Sequence, residues 1–304
     1  IRVTTGVKDS AGNTLSIQYT HSTGFTKTDD YLLPDTGQTG DYTSTFGEDS
    51  DYTYRTISYS DNGDGTVTDE NTGLIWQQQD DGTERNWNNA SSYCNDLSLG
   101  GQSDWRLPTD KELMSIAHYG ANTSTYSTFF LNTKGSYYWT LTTWVKNTTF
   151  VWNVNNGYVD INMKTGSNYV RCVRGNQISS SFTNNGDGTV TDNKTRFVWQ
   201  REDDGSKHYW ESAITYCESL SLASKSDWRL PNIKELQSIT DASQSNPAIN
   251  TTDFPNTQSQ HYWSSTTYLT DTNFAWSILF SGVYVYQNKS KSVHTNYVRC
   301  VRGG

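Results

Sequence analysis

Aliphatic side chains are scarce in this chain. Only 33% of its 304 residues are hydrophobic, even with the aromatics counted. No stretch approaches 18 consecutive apolar residues, which excludes a helix that crosses a membrane. Runs rich in Lys and Arg are missing too. With 23 basic against 32 acidic residues, the net charge of −9 argues against broad binding to nucleic acid or to anionic membranes. The chain opens at Ile1 with neither Met nor a signal peptide, as expected of a mature, processed form.

Aromatic and small polar residues are plentiful instead. The 11 Trp, 20 Tyr and 10 Phe make up 13% of the chain. Trp and Tyr can build a core while keeping a polar handle, so the low aliphatic content does not imply disorder. Ser, Thr, Asn, Asp and Gly supply most of the remainder, the residues of turns and short strands. Secreted β-rich proteins commonly show this balance.

The sequence is also written twice. "SDWRLPTDKEL" from Ser103 returns as "SDWRLPNIKEL" from Ser226, 123 positions later. "NGDGTVTD" at Asn62 recurs at Asn185, and Trp87, Ala90, Tyr93 and Cys94 recur as Trp210, Ala213, Tyr216 and Cys217. "NYVRCVRG" at Asn168 recurs at Asn296, so the second copy has gained five residues, as loops tolerate. The spacing predicts an N-terminal β-type extension over 1–55, a first domain over 56–175 and a second over 179–304, joined by the polar "NQISSS".

Each copy reads as α+β. "GTVTDENTGLIWQ" predicts two short strands around an Asn-Thr-Gly turn. Trp87, Ala90, Cys94 and Leu97 share one face of an amphipathic helix, as do Trp210, Ala213, Cys217 and Leu220. Thr109 with Glu112, and Asn232 with Glu235, form capping boxes that open a second helix. A Trp-rich run of strands and loops follows, and "YVRCVR" alternates like a strand. Four cysteines permit three pairings. The duplication favours Cys94 with Cys172 and Cys217 with Cys300, against the alternative of buried free thiols. Bridges closing loops of 78 and 83 residues would contribute ~4.5 kcal/mol each in the chain-entropy model, and would place the protein outside the cytosol.

"GDGTVTDENTGLIWQ", "W..A..YC", "DWRLPTDKEL" and "YVRCVRG", in that order, resemble the Lcl-type C-terminal domain of bacterial surface proteins, which is named after the Legionella collagen-like adhesin. The resemblance covers essentially the full length of both copies. It implies two tandem C-type-lectin-like domains, a fold shared with formylglycine-generating enzymes, and a disulfide from first helix to last strand in each. It also makes the Asp-Trp-Arg-Leu-Pro corner scaffold: Trp105 and Trp228 are expected in the core, with Arg106 and Arg229 on carbonyls or a carboxylate.

Catalysis finds little support. Formylglycine-generating chemistry needs reactive cysteines, and the bridges account for all four. The five histidines are scattered and none recurs between the copies. Calcium has weak candidates in Asn62 and Asp64, and in Asn185 and Asp187. The twelfth position of each loop, Asn71 or Lys194, is not the Glu of an EF-hand, and an Asp-Gly hairpin turn explains the same letters. No cofactor is expected. "LPDTG" at Leu33 matches a sortase signal but stands near the wrong end of the chain, so it reads as a turn.

The copies diverge in the Trp-rich loops. Trp144 and Tyr158, with Tyr284 and Tyr286, are the candidates for ligand or subunit contact, because Tyr284 and Tyr286 share one strand face. A basic spot near Lys289, Lys291 and His294 is the one place suited to an anionic polysaccharide. The expectation is a non-enzymatic extracellular or cell-surface protein. It would be either a subunit that self-assembles into a fibre or layer through strands at "IRVTTGV" and "LSIQYTH", or an adhesin that binds extracellular glycans.

Overall fold

The computed structural model describes residues 32–53, 55–120 and 128–303, so the two leading strands expected at 1–7 and 15–21 lie outside the described residues. Domain 1 runs β1 (Tyr59–Asp61), β2 (Thr66–Asp69), β3 (Ile75–Gln77), α1 (Trp87–Asn95), α2 (Asp110–Ser115), β4 (Tyr138–Thr143), β5 (Phe150–Asn155), β6 (Tyr158–Met163) and β7 (Val173–Arg174). Domain 2 repeats the order. It runs β8 (Phe182–Asn184), β9 (Thr189–Asp192), β10 (Val198–Gln200), α3 (Trp210–Glu218), α4 (Ile233–Ser238), β11 (His261–Thr267), β12 (Phe274–Leu279), β13 (Tyr284–Ser290) and β14 (Val301–Arg302). The chain is thus α+β, two tandem domains with one disulfide apiece.

Local sequence accounts for most elements. Asn86 caps α1 by accepting from the Asn89 amide, and Ala90 and Cys94 turn inward. The helix ends at Asn95, short of the Leu97 that the spacing includes, although Leu97 still packs on the same cluster. Both capping boxes form, at Thr109/Glu112 and Asn232/Glu235. The last strand is shorter than its alternation suggests, because the Cys172 amide bonds the Gln77 side chain (3.1 Å) instead of a neighbouring strand. Cys94–Cys172 and Cys217–Cys300 are bridged, with Cα separations of 5.5 Å in each. Each bridge lies in a small core of its own, beside Trp105 and Trp139 in domain 1 and Trp228 and Trp263 in domain 2.

A third, larger core is common to both domains, and so is the largest sheet. Its order is β11-β12-β13-β6-β5-β4, so strand β6 of one copy pairs antiparallel with β13 of the other at Val159 and Val285. Those two valines are equivalents, each fully buried. Contacts around them are reciprocal. Lys111 Nζ donates to the Ser238 carbonyl and Lys234 Nζ to the Ser115 carbonyl, both at 2.8 Å. Trp152 meets Tyr284, and Trp276 meets Tyr158, with ring centroids 4.8 Å apart in both pairs. The duplicated copies therefore pack around a pseudo-two-fold axis.

The described part of the extension forms a strap over this pair. Gln38 bonds the Tyr119 carbonyl of domain 1 and exchanges bonds with the Thr267 main chain of domain 2. Leu33 enters the common core, Asp49 accepts from Thr36 and Thr266, and Tyr52 donates to Glu218 (2.7 Å). "LPDTG" is thus the start of a docked strap.

Candidate ligand-binding surface

The hairpin joining β5 to β6 turns at Asn156 and Gly157, both at positive φ, the backbone of a two-residue turn. A side chain at Gly157 would strike the Tyr119 ring, whose hydroxyl donates to the Gly157 carbonyl (3.1 Å). This close fit delivers β6 to the domain junction. Strand β13 arrives from the other side with buried Val285 between Tyr284 and Tyr286, which places both rings on the opposite face.

Tyr284 and Tyr286 stack with centroids 5.8 Å apart and planes within 11°. Both are part-exposed. His261 of β11 leans on Tyr286 at 6.4 Å. Asp160 of β6 faces the same group, and its charge, after burial, raises the phenol pKa of Tyr137, Tyr284 and Tyr286. Burial, and then the nearby Lys289, holds the His261 imidazole down at about 4, so it is neutral at physiological pH. The result is a platform of three phenols, a neutral imidazole and a carboxylate, with Tyr137 and Asp160 from domain 1 and the rest from domain 2.

The other candidates are placed differently. Tyr158 is not an open platform: its ring sits edge-on to Trp276 and its hydroxyl bonds Tyr268. Tyr284 likewise spends one edge on Trp152 while keeping its stack with Tyr286. Trp144 is half-buried against Phe150, with a buried Nε1 that has no hydrogen-bond partner. Trp105 and Trp228 are buried. Arg106 grips Glu112 through two bonds of 2.7 Å and reaches the Gly175 carbonyl, and Arg229 grips Glu235 at 2.6 and 2.7 Å. These arginines lock the last strand onto the capped helix.

The calcium candidates are spent inside their own turns. Asp64 accepts from the Thr66 amide and hydroxyl, and Asn62 donates to Thr66 and Thr68. Asp187 and Asn185 repeat this on Thr189 and Thr191. Among the described residues no group of three or more His, Cys, Asp or Glu could hold a metal ion. The basic spot is also engaged: Lys291 Nζ lies 3.8 Å from the Trp210 ring centroid and donates to Thr267, and His294 accepts from the Ser290 amide. Sequence reasoning missed Tyr137 and Asp160, whose neighbours Tyr284 and Tyr286 belong to the other copy, and His261, which meets Tyr286 across its own domain's sheet. The one available signal was "YYW" at Tyr137, where alternation lets only one of two adjacent tyrosines face inward.

Two bridged α+β copies share one sheet, with a polar-aromatic platform at the seam. The family model of the Lcl C-terminal domain matches residues 65–174 and 188–302. The chain belongs to that family, which is associated with surface adhesins, and carries its domain twice in tandem. A comparison with curated proteins gave no match. The disulfides fit an oxidising, extracellular setting, and no helix among the described residues is long and apolar enough to cross a membrane.

Proposed function

We propose that this protein is a non-catalytic surface adhesin that binds glycans on the platform at its domain junction. The stacked pair Tyr284 and Tyr286 carries the reading: flat, part-exposed rings of this kind take the apolar face of a sugar. Asp160 and the phenol hydroxyls beside them supply acceptors and donors for sugar hydroxyls. The acidic balance of the chain and the engagement of Lys291 favour neutral over sulfated or uronic glycans.

A glycan array probed with the intact protein tests this. Binding to neutral glycans is expected, with affinity lowered about tenfold by Tyr284→Ala and again by Tyr286→Ala, roughly 1.4 kcal/mol each. Silence across the array, or binding indifferent to both substitutions, overturns it. The rival reading, a fibre or layer built by strands donated from residues 1–20, has its own test in deletion of that segment. The strap from Leu32 to Asp51 lies on its own molecule, which weighs toward the adhesin.

A further inference from the structure

The two copies are covered unequally. On domain 2 the strap crosses a face made by α3, the end of β11 and Lys291: Gly47 lies against Ile214 and Glu218, Gln38 holds Thr267, and Asp49 takes the Thr266 hydroxyl (2.6 Å). Beneath it, Trp210 and Ser265–Thr267 are buried. Domain 1 has the same face. Lys164 Nζ stands 4.3 Å from the Trp87 ring centroid, as Lys291 stands over Trp210. Trp87 Nε1 donates to the Thr140 carbonyl (2.9 Å), as Trp210 Nε1 does to Ser264 (2.8 Å). Yet Trp87, Ser91, Thr142 and Thr143 are part-exposed where their counterparts are buried, and no described contact brings the strap across them.

One substitution separates the faces. Thr142 donates to Asp110 of its own domain (2.7 Å), whereas Ile233 stands in the place of Asp110 in domain 2 and Thr266 turns to Asp49 of the strap. A strap carrying Asp49 would bring a second buried carboxyl to the one hydroxyl that Asp110 already holds, leaving one of the two without its donor, and neither could ionise beside the other without strong cost. The chain's own strap is thereby directed to domain 2.

We propose that the domain 1 face is a docking site for an extended polypeptide segment of a partner chain. The segment lies as the strap lies on domain 2, and is neutral where the strap carries Asp49. A side-chain amide exchanging bonds with the Thr143 main chain, as Gln38 does with Thr267, and packing on Trp87 anchor it.

The test is calorimetric titration of the full chain with a synthetic peptide of residues 35–52 bearing Asp49→Asn. One peptide per chain is expected to bind, with the unaltered peptide at least tenfold weaker. Ser91→Arg, which fills the position corresponding to Ile214, and Trp87→Ala should each lower affinity tenfold or more. Since Trp87 also packs on the domain 1 core, Ser91→Arg is the decisive variant. No binding at millimolar peptide overturns the proposal. So does binding indifferent to Ser91→Arg, which would mark displacement of the strap from domain 2.

Discussion

Arg171 and Arg299 show how a charge is made structural. Each is buried within "NYVRCVRG", and Arg299 donates to the carbonyls of Gln200 and Arg201, to Asp203 (3.3 Å) and to Thr257 (2.8 Å). Asp203 also accepts from Tyr262 (2.6 Å). Removing one partner of such a pair strands the other in a low-dielectric interior. Arg299→Met is therefore expected to destabilise the protein by about 3–5 kcal/mol in denaturant unfolding, and a loss under 1 kcal/mol would show that Asp203 needs no counter-charge. The role was hidden in the sequence, because an arginine in an alternating strand reads as solvent-facing. Its recurrence in both copies was the signal. Arg106 and Arg229 were easier, since Glu112 and Glu235 stand six residues on and already cap the helix.

Among elements, the helices and first hairpins were legible, since apolar spacing and capping residues are local. The strap was not. It is mostly polar, and the groups that dock it meet partners far along the chain: Tyr52 meets Glu218, 166 residues away, Asp49 meets Thr266, 217 away, and Gln38 meets Thr267, 229 away. Burial raises the pKa of Asp35, Glu48 and Asp49, and brings Glu218 up to about 7. A carboxyl held above its unfolded value keeps its proton longer in the folded state. Its stabilisation is complete below the unfolded value of about 4 and is lost as pH rises through the folded one. Lys234 and Lys291, which burial lowers to about 8, act in the opposite sense only above that pH. The strap should therefore loosen from pH 5 to pH 8. Hydrogen-exchange protection of residues 38–51, corrected for intrinsic rates, is expected to fall several-fold over that range and to flatten in Asp49→Asn. Protection that is constant or rises with pH would show the carboxyls ionised in place.

For the whole molecule, the duplication announced two domains but not their union. A sheet that runs through both copies needs edge strands β6 and β13 to meet, and strand edges carry no signature beyond the alternation of any half-buried strand. Once joined at Val159 and Val285, the copies share a core, and the platform draws Tyr137 and Asp160 from one and Tyr284 and Tyr286 from the other. The candidate binding surface therefore exists only while the two domains remain one body. Differential scanning calorimetry of the oxidised protein tests that union most directly. A shared core predicts a single transition whose calorimetric and van't Hoff enthalpies agree, split in two by Val285→Asp. Two transitions in the unaltered protein, or a calorimetric enthalpy near twice the van't Hoff value, would mean that the copies unfold independently, and would contradict a site shared between them.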